Sequence, residues 1–509
     1  MQTIWFKRMV SVLLLSALAL SVAGCQSRYT PRESSSAAPS AQTGTGGDAA
    51  QEEVITVYYL NDPGFPLERT LRAFSESYSK TGSNITIEKV AFQDPEALKE
   101  SIQSEGFPDV LLLRASDSLY DLDPQQWIDA GQVLALNDML EADDSFQASN
   151  YIAGLMESGQ VGGQQYYMPL SVEMQALYMP LSNVQSSGMG GLSDSYTLEE
   201  FLHTVSEAGE HYDYTYLPQF YDTSRDYGLC LLNFLQQTGA LQINRSAQTV
   251  HVNESILPTV LSAFQELYND ILLYTENAEA ATLSFAEQQA LTATSVSNIT
   301  IPMAMRYMQS GYFEFLGQEA TAYYYPLATD SAQEMDAPRQ YAAMVNLVGL
   351  IGSESEHAQA AYDFLRHVMD LPASNWLTLP FYMPNSTTER YQQHAEMFFH
   401  GLLYMTPVNL NQLQQLTEQL ARSPGGSASY KLEDGIERYV TLQPLTDTQL
   451  NDINHVFSNI TQTYMLDGQS ALIVQEALSP YLSGESDSTD GLAASLQSAL
   501  AEALEWRPI

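Results

Sequence analysis

From residue 54 onward the chain alternates short apolar runs with amphipathic stretches. Val54-Ile55-Thr56-Val57-Tyr58-Tyr59-Leu60 is β-branched, aromatic and nearly all apolar, the pattern of a strand buried on both faces. It ends at Asn61-Asp62-Pro63-Gly64, a loop signal. Leu67, Leu71, Phe74 and Tyr78 then recur at helical spacing with charges between them. Residues 85–90 predict a second strand, and Pro95 opens a second helix with Leu98 and Ile102 on one face. Gly106-Phe107-Pro108-Asp109 turns into a third strand over 110–113. Strand, helix, strand, helix, strand with short connections predicts a parallel sheet with helices packed on it. Ligands of such sheets sit beyond the carboxyl ends of the strands. Here those ends are Asn61-Asp62, Phe92-Gln93 and Arg114-Ala115-Ser116-Asp117. The first of these loops lacks G-x-G-x-x-G, which disfavours a dinucleotide.

Further along, Thr197-Leu198-Glu199-Glu200-Phe201-Leu202 reads as an N-capped helix with acids in its first turn. Residues 228–237 and 255–274 also read as helices. Between them and the capped helix, residues 211–227 carry Tyr212, Tyr214, Tyr216, Phe220, Tyr221 and Tyr227. These rings either pack a loop against the body or stack on a sugar ring, which a flat apolar face with a hydroxyl suits.

The pattern before residue 54 is of another kind. Lys7 and Arg8 precede a short apolar run, Met9 to Leu20, and then the small residues Ala23-Gly24 before Cys25. This is the layout of a secretory signal, too short for an ordinary membrane-spanning helix. Ala23-Gly24-Cys25 resembles the bacterial lipobox, which implies that Cys25 is lipidated and becomes the first mature residue; a plain signal with an incidental cysteine is the alternative. Two acyl chains anchor stably. Residues 26–53 are rich in Ser, Ala, Thr, Gly and Pro and show no apolar periodicity. Such a tether spans on the order of 30 Å.

Composition narrows the partners. The formal charge of −41 becomes −43 once Lys7 and Arg8 are removed with the signal. A body this acidic is repelled by nucleic acid and by anionic lipid headgroups. Cys230 is the only cysteine besides Cys25, so no disulfide framework exists, and its apolar surroundings make it a buried small hydrophobe. No G-x-S-x-G elbow, P-loop, H-E-x-x-H or cysteine metal set occurs, and the eight histidines are scattered. An enzyme, a cofactor and a metal are therefore not expected.

The opening strand, its helix, and Gly106-x-Pro108-Asp109-Val110 running into a buried strand resemble family 1 bacterial extracellular solute-binding proteins. These are the binding subunits of ATP-driven importers for sugars and related solutes. Trp127 to Leu136 is similar to the family's helix-glycine-strand step, and Trp127 itself reads as helix core. Gly162 to Leu170, then Leu177-Tyr178-Met179, resembles its crossover into a second lobe, with Met179-Pro180 where the family has Tyr-Asn. Residues 290–305 resemble a segment that brings small polar residues, here Ser295, Ser297 and Asn298, to the cleft. Tyr323-Tyr324-Tyr325-Pro326-Leu327 followed by Tyr341 to Ile351 resembles the return crossover, and Ser353 to Val368 the helix after it. Leu379-Pro380 and Met383-Pro384-Asn385 resemble the loop closing a third crossover, and Ile453 to Trp506 the closing helices.

The resemblance implies an α/β, two-lobed periplasmic-binding-protein-like fold. Each lobe is a mostly parallel sheet flanked by helices, and a multi-crossover hinge joins them. The expected organisation is signal peptide 1–24, lipidated Cys25 and linker to 53, lobe 1 over 54–170 and 340–375, and lobe 2 over 171–339 and 376–509 with C-terminal helices. It implies capture of a solute, an oligosaccharide before a peptide or other solute, and delivery to ABC permease subunits. The carrier would be an extracytoplasmic monomer held to the membrane by its lipid alone. Expected ligand contacts are Asn61, Asp62, Arg114, Ser116, Asp117, Glu173, Gln175, Asn298 and the stacking rings Tyr221 and Trp376. Arg114 serves either a ligand or a structural ion pair. A sensor of the same fold and an anchored carbohydrate hydrolase remain the alternatives.

Overall fold

The computed structural model describes residues 53–61, 67–114, 122, 124–180, 184, 196–209, 227–265, 297–300, 305, 320–328, 339–372, 405–422, 427–431, 437–441, 443–484 and 491–505. The chain divides at residue 50 into two units, and the elements below belong to the second, Gln51–Ile509.

β1 (Glu53–Leu60) is buried over its last four residues. It runs parallel to β2 (Ile85–Phe92), from Glu53 beside Ile85 to Leu60 beside Phe92. The edge position of β2 explains its half-exposed pattern and its Glu88-Lys89 pair. The helix Leu67–Ser79 buries Leu67, Leu71, Phe74 and Tyr78, the stripe its spacing predicts. In the helix Pro95–Glu105 the Asp94 carboxylate accepts from Glu96 N at 3.0 Å, Pro95 fills the first turn, and Leu98 and Ile102 are buried.

β3 (Val110–Arg114) is wholly buried and parallel to β1. Asp109, just before it, explains the Gly-x-Pro-Asp signature physically. Its carboxylate accepts from Thr56 N at 2.8 Å and from the Ser355 hydroxyl, tying β1 to the turn that follows the strand Tyr341–Ile351. Gly352 sits against this turn, where a Cβ would meet Pro108 O at 2.5 Å.

After the short helix Pro124–Asp129 the chain forms a tight hairpin, β4 (Gln160–Val161) and β5 (Gln164–Gln165). Gly162 and Gly163 turn it with φ of 57° and 80°, values that two-residue hairpin turns demand. β6 (Met168–Glu173) enters the main sheet and β7 (Gln175–Pro180) a different one, so the chain changes sheet at Met174.

The helix Leu198–Gly209 opens with a capping box: Thr197 Oγ1 accepts from Glu200 N at 3.1 Å, and Glu200 Oε2 accepts from Thr197 N at 2.9 Å. The helix Tyr227–Gln237 is buried from Gly228 to its end, Cys230 included. β8 (Leu241–Asn244) and β9 (Thr249–Val252) form a hairpin after it. β10 (Ser297–Thr300) and β11 (Ala320–Tyr324) flank β7 in a three-stranded antiparallel sheet.

β12 (Tyr341–Ile351) is buried at all eleven positions. It returns the chain to the main sheet, antiparallel to β3 and to β6. The helix Ala358–Met369 packs behind it. The helix Leu410–Arg422, the hairpin of β13 (Ser427–Lys431) and β14 (Glu437–Thr441), and the capped helix Asp447–Ser458 follow. β15 (Ile460–Tyr464) then pairs parallel with the start of β12. The helices Gly468–Leu482 and Leu492–Glu505 close the described chain. The main sheet is therefore mixed, in the order β15-β12-β3-β1-β2 with β6 also on β12.

Buried apolar residues form two cores. The first gathers β1, β3, β6 and their helices; the second gathers the helices Leu198–Gly209, Tyr227–Gln237, Gly468–Leu482 and Leu492–Glu505. β12 serves both: Tyr341, Ala343 and Val345 pack in the first, Ala342 and Met344 in the second. The alternation follows from the two-residue period of a strand with a core on each face. β15 also spans them, with Ile460 in the first core and Tyr464 in the second. Residues 405–416 and 445–460, from a stretch expected in the second lobe, pack into the first core. The loop expected to close the third crossover, residues 379–385, lies outside the described residues. β15 adds a strand to the stretch 453–506 that resembles closing helices: Ile460, Thr461 and Thr463 are β-branched, and the β12 edge gives them a partner.

Candidate ligand-binding site at the crossover strands

The parallel strands β1 and β3 end at the same side of the main sheet, at Leu60-Asn61 and at Arg114. Register then carries the site across the sheet. Arg114 lies beside Leu347 of β12, and Leu347 lies beside Ser171 of β6, so one row runs through three strands. Further along, Glu173 lies beside Met344, and Met344 beside Tyr464 of β15. Cross-strand neighbours share a face. Met344 and Tyr464 belong to the second core, so Glu173 is directed towards that core.

Between the two rows the register of β12 shifts, and Asn346 is the residue left over. Such bulges re-aim side chains and are common beside binding sites. Arg114, Ser171, Glu173, Gln175, Asn346 and Gln237 are all buried, an unusual density of polar groups for one end of a sheet.

Several of these groups lack an internal partner. Asn61 Oδ1, Ser171 Oγ, Glu173 Oε2 and Gln237 Oε1 are enclosed and accept no hydrogen bond among the described residues. The other end of the Gln237 amide donates to Gln175 O at 3.4 Å. Each such orphan costs about 1–3 kcal/mol. Burial pushes the Glu173 carboxyl well above the ordinary carboxylate range. As a neutral acid it offers one donor and one acceptor, which suits a hydroxyl group. Among the described residues no three His, Cys, Asp or Glu side chains come together to hold a metal.

Asn61, Arg114, Glu173 and Gln175, singled out from sequence, thus come to one end of the main sheet and its crossover. The backbone of Asn298 pairs with Leu177 in the neighbouring sheet, two residues beyond Gln175. Asp62, Ser116, Asp117, Tyr221, Trp376 and Cys25 lie outside the described residues. Sequence reasoning missed Ser171, Asn346 and Gln237. Two of them carried a signal. Ser171 shares the strand period of Glu173, and Asn346 is the polar interruption of an eleven-residue apolar strand. Gln237 ends a helix and becomes part of the site only through packing.

No protein-family model and no curated protein matches the chain. Solved structures do. The sugar-binding protein MalE from Xanthomonas citri aligns over 89% of this chain and 98% of its own, with a TM-score of 0.54 at 12% identity. A cyclic alpha-maltosyl-1,6-maltose binding protein from Arthrobacter globiformis aligns over 89% and 99%, with a TM-score of 0.53 at 13% identity. An ABC substrate-binding protein from Listeria monocytogenes, solved with cycloalternan, aligns over 89% and 100%, with a TM-score of 0.50 at 11% identity. With its mixed sheet, paired cores and crossover strands, the chain has the periplasmic-binding-protein-like fold of these solute-binding proteins.

Proposed function

We propose that this chain is an extracytoplasmic solute-binding protein, lipid-anchored through Cys25, that captures an oligosaccharide and passes it to the permease of an ABC importer. In this reading the two cores are two lobes, β6–β7, β11–β12 and β15 are the connections between them, and hinge closure traps the ligand. It works as a monomer by equilibrium binding, without a covalent step.

The observation that carries the reading is the set of enclosed acceptors at Asn61, Ser171, Glu173 and Gln237 that have no partner among the described residues. Amide, hydroxyl and neutral carboxyl groups match the hydroxyls of a neutral sugar. The neighbours in fold are described as a sugar-binding protein, a cyclic alpha-maltosyl-1,6-maltose binding protein and an ABC substrate-binding protein solved with cycloalternan, which favours binding over a hydrolase or a sensor.

The test is the melting temperature of the full chain against mono- and oligosaccharides, with peptides and polyamines as controls. A ligand at 100 times its dissociation constant adds about 2.7 kcal/mol. A shift with one oligosaccharide class, with the sugar recovered intact, supports the reading. A shift with peptides or amines alone refutes the ligand class, and consumption of the sugar refutes the non-enzyme assignment.

A further inference from the structure

The helix Asp447–Ser458 passes the chain to β15 through Asn459, and several contacts meet at that residue. Asn459 O accepts from Tyr341 N at 3.0 Å, which docks the first residue of β12. Asn459 Nδ2 donates to His455 O at 2.7 Å and stands 3.4 Å from His455 Nδ1. The Tyr341 and His455 rings meet at 87°, with centroids 6.1 Å apart. β12 and β15 are the strands whose residues are divided between the two cores. His455 therefore sits where both shared strands begin.

The geometry is sensitive to the charge on His455. The bond to His455 O settles which end of the Asn459 amide carries the protons. Facing a donor, Nδ1 is the acceptor, so the neutral ring carries its proton on Nε2. A second proton turns Nδ1 into a donor and sets it against the Asn459 amide. Nε2 is enclosed and meets no partner among the described residues, so no acceptor there compensates the charge. Three titratable groups among the described residues face the ring. Arg339, just before β12, repels a cation, and its guanidinium lies 4.1 Å over the Tyr196 ring of the second core. Asp452, a turn earlier on the helix, attracts a cation but is exposed. Tyr341 stays neutral, its hydroxyl pushed up to about 12 by burial. Burial and Arg339 outweigh Asp452 and hold the imidazole below its ordinary value of 6.5.

We propose that His455 is a proton-sensitive catch on the two shared strands: neutral, it leaves Asn459 free to dock β12 and start β15; protonated, it undocks them and loosens one core from the other. The catch stands whether or not the crossover rows bind an oligosaccharide. An undocked His455 takes up a proton near 6.5, and the docked one resists until the pH is lower. Docking is therefore at full strength above 6.5 and weakens as the pH falls through the lowered folded value.

The test combines two readouts on the full chain. Histidine titration is followed by NMR, with His455→Gln identifying the signal among the eight histidines. Amide hydrogen exchange is measured at pH 8 and pH 5, corrected for the intrinsic effect of pH. His455 is expected to titrate below 6.5. Between the two pH values, protection over 341–344 and 460–464 falls about fivefold to tenfold more in the parent than in His455→Gln. Protection over β1 changes equally in both, which separates a local release from a general loss of stability. Arg339→Gln brings the titration back towards 6.5 and shrinks the difference, and it carries the test if His455→Gln does not fold. Two results would each overturn the proposal: titration of His455 at or above 6.5, or the same pH dependence of both segments in the parent and the variants.

Discussion

Tyr464 donates its hydroxyl to Asn233 Oδ1 at 2.8 Å, joining β15 to the helix Tyr227–Gln237 across 231 residues of sequence. Both side chains are buried, and the bond fixes the end of a strand shared by two cores against the helix that covers it. Tyr464→Phe removes the donor but not the ring, leaving the Asn233 carbonyl enclosed. The expected cost is about 1–3 kcal/mol. Denaturant melts of the two proteins check it, and an unchanged midpoint at an unchanged slope counts against the bond.

Glu173 makes stability fall with pH. Burial raises its carboxyl well above the ordinary value of 4.5, so the folded state binds a proton that the unfolded chain has released. Protons held by the folded state alone destabilise it as pH rises. The loss begins near pH 4.5 and continues until the raised folded value is passed. Glu173→Gln keeps the neutral shape and abolishes this slope. Chemical denaturation at pH 5 and pH 8 checks it: the variant gains on the parent at pH 8, and parallel curves for the two proteins would contradict the assignment.

Asp143 acts in the opposite sense. Burial alone would raise its carboxyl, but hydrogen bonds from Ser145, Arg366 and Tyr362 outweigh it and bring the value down to about 2. Arg366 Nε donates to it at 3.0 Å, and Arg366 also reaches Tyr151 and Asp370. This contribution is complete above about pH 4 and is lost as pH falls towards 2. Arg366→Ala leaves two carboxylates half-enclosed and costs on the order of 3 kcal/mol. Acid titration followed by circular dichroism should show Asp143→Asn lacking this part of the transition.

Ser171→Ala separates binding from folding. Its hydroxyl is fully buried and unpartnered among the described residues, so its removal leaves the melting temperature of the empty protein unchanged or higher. If a sugar hydroxyl pairs there, affinity falls about tenfold. Calorimetric titration of parent and variant with the same oligosaccharide checks it, and equal affinities remove Ser171 from the site.

Much of the first core was legible because each of its elements has one dominant pattern. The stripe Leu67, Leu71, Phe74 and Tyr78, the Asp94-Pro95 cap and the uniformly apolar β12 need no tertiary information to read. The placement of Arg114, Glu173 and Gln175 at one end of the main sheet and its crossover was legible because they end or follow buried strands. β15 was not, because a five-residue strand inside a helical region declares itself only when an edge accepts it.

By itself the sequence determined the alternation of strands and helices, the burial of their apolar faces, the caps and turns, and the class of fold. These depend on local periodicity and on backbone conformations that particular residues favour. Tertiary structure alone decided that β12 faces two cores, that Asn346 is bulged out between two rows, and that Gln237 meets Gln175. It also decided which buried groups stay unpartnered. Register, sheet order and hydrogen-bond satisfaction are relations between segments tens to hundreds of residues apart, and no local pattern encodes them.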